Sequence, residues 1–203
     1  MRVIFFFDPA CPWCWMTSRW VVEAQKSRDI SITWKPFSLE IKNTGVDVPS
    51  QYRPSMRLGL RALRIIEAAK AEGIADMESI GNFYSALGQQ IHNQGLGAQS
   101  SIIKALESAQ WPTELHYHEN SEQFDIAINT SMQEGIQIAG TSDIGIPLIV
   151  LDGENPTGFF GPIVSPTPKG DQAATLWDSF LAMANSNNFY EVKKLKKREV
   201  DFS

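Results

Sequence analysis

The chain has 203 residues, 43% of them apolar and 20% charged, with a net charge of −5. That is an ordinary globular composition, long enough to bury a core without covalent staples, and its acidic balance gives no electrostatic reason to expect nucleic acid as a partner. The two cysteines exclude a disulfide-rich scaffold and a four-cysteine zinc site.

Arg2 is followed by the apolar run Val3-Ile4-Phe5-Phe6-Phe7, which Asp8-Pro9 stops. A secretory signal needs about 7–15 apolar residues, so none is expected here. No run approaches the ~18 apolar residues of a membrane span, so no membrane partner is expected either. The expected location is the cytoplasm, where stable structural disulfides are rare. Residues 2–7 read as a buried strand, continuous rather than alternating. Pro12 starts a helix that should run to about Arg28, with Met16, Trp20 and Ala24 four residues apart. Ile30 to Phe37 alternates like a strand, so the chain opens β-α-β.

Residues 39–140 hold no convincing strand and read as an inserted α-helical domain. One helix opens at Pro54 and places Leu58, Ala62, Ile65, Ile66 and Ala69 on one face. A second covers Met77–Ile91. A third carries Ile102, Ile103, Leu106 and Ala109 and ends at Trp111-Pro112. A fourth runs through Phe124, Ala127, Ile128, Ser131, Met132 and Gly135. Arg53, Arg57, Arg61 and Arg64 share one helical face, read as solvated. Strand character returns at Ile146–Leu151. The turn Asp152-Gly153-Glu154-Asn155-Pro156 and a strand Thr157–Phe160 then make a hairpin. A last helix shows Ala173, Leu176, Trp177, Phe180, Leu181 and Ala184. The basic tail Lys193–Arg198 reads as a solvated end. The expected architecture is α/β: residues 1–38 and 141–203 form one discontinuous domain and 39–140 the helical insert.

Both cysteines fall in one unit, Cys11-Pro12-Trp13-Cys14, where the first strand meets the first helix. Cys11 then sits at the N-cap, Pro12 at N1, Trp13 at N2 and Cys14 at N3. The free N–H groups of the first turn and the positive helix end favour a Cys11 thiolate, so Cys11 is expected to be the exposed nucleophile. Cys14, one turn inside, should be more buried and keep a higher pKa. Residues three apart on a helix can bond their sulfurs with little backbone change. The histidines His92, His116 and His118 are far away in sequence, so no metal is expected. Gly145-Ile146-Pro147 begins the third strand. A cis Ile146–Pro147 bond there would present the Ile146 backbone beside Cys11.

Phe7–Trp15 (FDPACPWCW) resembles the active-site start of the thioredoxin superfamily, and Gly145–Val150 (GIPLIV) resembles its cis-proline strand. The helical insert between them resembles the disulfide-bond protein A (DsbA) family. Asp8–Trp20, Ile91–Gly95 (IHNQG), Phe159–Ser165 (FFGPIVS) and Leu176–Asp178 (LWD) are similar to the mycothiol-dependent nitroreductases within it. The resemblance implies a thioredoxin-like βαβ…ββα domain with a large inserted helical domain. It also implies a cytoplasmic thiol–disulfide oxidoreductase with Cys11 as nucleophile, Cys14 as resolving cysteine and Pro147 as the cis-proline. Its expected co-substrate is a low-molecular-weight thiol such as mycothiol, with a disulfide or electrophilic acceptor and no tightly bound cofactor. The chain departs from periplasmic DsbA proteins in having Trp13 where they usually carry histidine. Kappa-class glutathione transferases and chromene-carboxylate isomerases typically have serine in place of Cys11. A thiol-dependent transferase or isomerase of that kind, and a redox-switched holdase, are the alternatives.

Other candidates are weaker. Trp13 is expected beside the sulfur as a flat apolar surface, with Trp15 and Trp20 in the core or at the domain interface. His92 and Asn93 precede the turn signal Gln94-Gly95. The first reading of His92 is a loop histidine bonded to backbone; the second has the insert fold over the redox centre with His92 facing it. Tyr52 and Asn43, near the entry to the insert, could line the cleft, and Trp15 could join them in contacting substrate. Nothing in the pattern sets an oligomeric state.

Overall fold

The computed structural model describes residues 1–95, 98–154, 156–197 and 199–203. Strand β1 (Arg2–Phe7) is buried at every position after Arg2. It is central, so both faces are covered and its residues need no alternation. Helix α1 (Pro12–Gln25) follows, and β2 (Ser31–Pro36) pairs with β1 in parallel, Phe7 opposite Pro36. On its other side β1 pairs antiparallel with β3 (Leu148–Asp152), Phe6 opposite Leu148. β4 (Thr157–Phe160) pairs antiparallel with β3, Phe160 opposite Leu148. The sheet order is β2-β1-β3-β4. Phe7, Pro36, Leu148 and Phe160 therefore mark one end of the sheet, the end from which the chain leaves β1 toward Cys11.

Between β2 and β3 every helix or strand among the described residues is helical. A short helix α2 (Leu39–Lys42), which pattern alone did not suggest, is capped by Ser38, whose hydroxyl accepts from the Ile41 N–H at 3.2 Å. Helices α3 (Arg53–Ala71), α4 (Met77–Gly88), α5 (Ala98–Ser108) and α6 (Asp125–Ala139) follow, with 3₁₀ turns before α3 and between α5 and α6. Beyond Gly88 the helix continues as a π-helical stretch, Gln89–Asn93. α6 lies on the sheet at Gly135, where a side chain would meet Phe6 and Leu148. The Ser131 hydroxyl donates to the Pro36 carbonyl at 2.8 Å, tying α6 to β2. Helix α7 (Gly170–Ala184) packs on α1. There the Trp20 ring meets Trp177 and Phe180, and its indole N–H donates to the Ala173 carbonyl at 3.0 Å. Buried apolar residues from the sheet, α1, the helices of 39–140 and α7 form one continuous cluster.

Several boundaries differ from the pattern-based ones. α1 stops at Gln25 instead of near Arg28, and the Gln25 amide donates to the Ile30 carbonyl at 2.8 Å, closing the turn into β2. β3 starts at Leu148 instead of Ile146; Pro147 has no N–H for the ladder. The arginine face of α3 is not solvated throughout. Arg64 is buried and grips Asp125 through two bonds of 2.7 Å. Arg61 pairs with Glu119 at 2.7 Å, whereas Arg57 stays exposed, 3.9 Å from Glu40. The chain after α5 folds back onto α3 and brings acids that no local pattern in α3 could reveal. Asn155 of the expected turn and Arg198 of the basic tail lie outside the described residues; Lys193–Lys197 is exposed.

Candidate active site

The cysteines begin α1 as the spacing requires. Cys11 is the N-cap with extended backbone (φ −77°, ψ 116°), Pro12 opens the first turn, and the Cys14 N–H donates to the Cys11 sulfur at 3.4 Å. Both are free thiols. The Cys11 N–H donates to the Asp8 carbonyl at 3.0 Å, so residues 8–11 form a tight turn between β1 and α1.

Contrary to the expectation of an exposed nucleophile, Cys11 is only 5% exposed, and Cys14 is fully buried. Trp13 is half-buried against the core and does not stand free beside the sulfur. Elements distant in sequence bond the turn that carries Cys11. The Ser55 hydroxyl, near the start of α3, donates to the Ala10 carbonyl at 3.2 Å. His92 Nε2 lies 3.0 Å from the Pro9 carbonyl. A carbonyl only accepts, so Nε2 carries the proton. Two glycines allow the helices this close: a Cβ at Gly59 of α3 would lie 1.9 Å from the Asp8 carboxylate, and one at Gly88 would lie 2.2 Å from the Trp15 ring.

The Cys14 thiol is strongly perturbed. Burial, then the hydrogen bond to the Cys11 sulfur, push the Cys14 thiol well above its ordinary range. Asp8 is fully buried, and that burial raises its carboxyl to about 7 against the N–H groups of Leu39 and Ala10, which hold it at 2.9 Å each. Charge on Asp8 further disfavours a Cys14 thiolate. His92 is driven down to about 4 by burial, so it is neutral at pH 7. Arg19 lies over the Trp15 ring at 4.4 Å and donates to Ser85 at 2.6 Å, bracing α1 against α4.

The remaining candidates scatter around this centre. The Ile146–Pro147 bond is cis, Ile146 and Pro147 are buried, and the Pro147 carbonyl accepts from the Gly161 N–H at 2.8 Å. Trp15 is buried, stacks on His92, and donates its indole N–H to Asn93 Oδ1 at 3.2 Å. His92 bonds backbone, as its first reading has it, and the backbone it bonds is Pro9, two residues before Cys11. Tyr52 stands 54% exposed one turn before Ser55. Asn43 ends α2, its amide donating to the Leu39 carbonyl at 2.8 Å and facing Met56 of α3. Asp8, Gly59 and Ser55 escaped selection as individual residues because only the fold brings them together. Two sizeable cavities, about 510 Å³ and 260 Å³, are lined by neither cysteine. Among the described residues no group of His, Cys, Asp and Glu could hold a metal, and no helix is long and apolar enough to cross a membrane.

A dithiol at a helix N-terminus, on a four-stranded mixed sheet with helices between its second and third strands, defines a DsbA-like oxidoreductase of the thioredoxin superfamily. The family model of the mycothiol-dependent nitroreductase Rv2466c matches residues 10–194, and the chain belongs to this Rv2466c-like family. Its sequence is 25% identical to an uncharacterized protein of Mycobacterium tuberculosis, Rv2286c, over 96% of this chain and 82% of that one. Its fold is similar to that of a 2-hydroxychromene-2-carboxylate isomerase, with TM-score 0.61 and 13% identity over 90% of this chain and 94% of that one. It is also similar to the cytosolic disulfide reductase DsbM of Pseudomonas aeruginosa, with TM-score 0.56 and 13% identity over 91% of this chain and all of that one.

Proposed function

We propose that the chain is a cytoplasmic thiol–disulfide oxidoreductase, recycled by a low-molecular-weight thiol such as mycothiol, that acts on disulfides or electrophilic acceptors such as nitro groups. The observation that carries this reading is the Cys14 N–H aimed at the Cys11 sulfur while the Cys14 thiol is held protonated. That asymmetry supports a reading in which Cys11 attacks and Cys14 resolves. The Cys11 thiolate attacks one sulfur of a substrate disulfide; the S–S bond breaks and the other half leaves as a thiolate. Cys14 loses its proton and attacks the Cys11 sulfur, releasing the second half and leaving a Cys11–Cys14 disulfide. Two molecules of small thiol then reduce that disulfide through a mixed disulfide, and are themselves oxidised to a dimer. With a nitro acceptor, the same two electrons and two protons convert nitro to nitroso and release water.

The small-thiol reading draws on the family's description and on Cys11, where isomerase relatives typically have serine. Residues 1–38 with 141–203 form the redox unit in this reading, and 39–140 the insert that covers it. Pro12, Trp13, Ile146 and Pro147 shape its site in this reading, and His92, Asn93, Tyr52, Asn43 and Trp15 are its candidate substrate or co-substrate contacts. The test is to oxidise the protein and follow its reduction by mycothiol, glutathione, cysteine and thioredoxin. Mycothiol is expected to be fastest. Failure of every small thiol with thioredoxin effective removes the small-thiol reading.

A further inference from the structure

Residues Glu199–Ser203 are held at two anchors. The first is the loop after β4. The Ser165 hydroxyl donates to the Glu199 carbonyl at 2.6 Å and accepts from the Asp201 N–H at 3.1 Å. That loop is itself fastened to α1: Thr17 donates to the Pro162 carbonyl at 2.9 Å and Thr167 to the Met16 carbonyl at 3.3 Å. The second anchor is the π-helical stretch. The Asn93 amide donates to the Phe202 carbonyl at 3.1 Å, while its oxygen accepts from the Trp15 indole. The His92 ring meets Phe202 on one side, at 5.4 Å, and Trp15 on the other, at 5.7 Å.

We propose that this segment is a latch, with Phe202 and Asn93 as positioning residues that hold His92 on the Pro9 carbonyl and so set how readily Cys11 is reached. The chain of contacts is short and complete. Phe202 and Asn93 fix His92 and Trp15; His92 bonds Pro9; Cys11 closes the same turn on Asp8. A thiol that is 5% exposed reacts only when its surroundings open, and the His92–Pro9 bond fastens the turn that carries it. The bonds involved are polar and lie near the surface, which places them among the parts of a fold that open at low cost. Phe202 also walls the cavity shared by Trp15, Arg19, Asn93 and Thr167, so release of the segment widens the approach to α1.

The proposal rests on Cys11 being the reactive thiol. The test alkylates the reduced full-length protein with iodoacetamide and reads Cys11 and Cys14 separately by mass spectrometry. Phe202→Ala, which removes the ring contact with His92, and Ser165→Ala and Asn93→Ala, which remove side-chain hydrogen bonds, should each speed Cys11 labelling roughly two- to tenfold, the order of one net hydrogen bond. Cys14 should stay protected, and Phe202→Tyr should keep the wild-type rate. Wild-type Cys11 rates in all three alanine variants overturn the latch, as does an effect confined to one of them. Cys11 and Cys14 labelling that rise together report global unfolding and overturn it as well. Failure of the nucleophile reading shows elsewhere, as undiminished turnover in Cys11→Ser.

Discussion

The Cys14 N–H meets the Cys11 sulfur at 3.4 Å, while the Cys14 side chain sits fully buried behind it. Burial disfavours charge on the Cys14 sulfur. Cys11→Ser should therefore cut disulfide exchange roughly 100-fold or more, since a hydroxyl at that position is a far weaker nucleophile than a thiolate. Cys14→Ser should retain the first attack and accumulate a mixed disulfide at Cys11, visible as a mass adduct that added thiol removes. No adduct in Cys14→Ser would reverse the assignment of the two roles.

Asp8 makes stability depend on pH. Its folded value, about 7, lies above the ordinary 3.8. The folded state thus binds the proton more tightly, and this contribution is fully present below pH 3.8 and lost as pH rises through 7. Its span is of order 4 kcal/mol, at 1.36 kcal/mol per unit. Asp8→Asn should remove this contribution and leave the opposing one of His92, so stability should rise more steeply with pH between 4 and 6.5 than in the wild type. It should also lower stability at every pH, since one amide oxygen replaces two acceptors for the Ala10 and Leu39 N–H groups. Urea titrations at intervals between pH 4 and 7.5 read the slope directly; an unchanged slope refutes the role.

His92 works in the opposite direction over an overlapping window. Its folded value, about 4, lies below the ordinary 6.5 because burial disfavours the imidazolium. Its contribution is present above pH 6.5 and lost as pH falls through 4, a span of order 3 kcal/mol. Against Asp8 this flattens the wild-type profile between pH 4 and 6.5. His92→Gln keeps a donor for the Pro9 carbonyl but does not titrate, so its stability should fall more steeply as pH rises from 4 to 7. A wild-type profile that climbs or drops by several kcal/mol across that window would show that the two do not offset one another.

What was legible in the sequence follows how local each cause is. The dithiol at the helix start, the central apolar strand and the Trp20 face of α1 are set by neighbours within a turn or two. The approach of distant helices to the start of α1 is not. It depends on Gly59 and Gly88 letting α3 and the end of α4 approach Asp8 and Trp15, contacts between residues some 50 to 75 positions apart. A glycine in a helical pattern reads as a mild penalty until its neighbour is known. Asp8 read as the residue that ends an apolar run, and its burial against α2 and α3 has no local signature. Phe202 lay beyond every periodic element, and its ring partner His92 was itself only a candidate.

The arginines of α3 show the same gap and lend themselves to a contrast. Arg64 is 9% exposed and bidentate to Asp125, the first residue of α6. Two parallel bonds from a planar guanidinium fix the angle between the helices as well as their distance. Arg64→Ala leaves the partly covered Asp125 carboxylate without its cation, and truncating one member of such a pair costs about 3 kcal/mol. Arg57 shares the face by spacing, but its side chain is 76% exposed and 3.9 Å from Glu40. Arg57→Ala should therefore change stability by no more than about 0.5 kcal/mol. Chemical denaturation of the two variants side by side measures the difference, and equal effects would mean that Arg64 and Asp125 do not hold α3 to α6. Arg64→Lys separates charge from geometry: lysine restores the cation but not the bidentate grip, so it should recover only part of the loss.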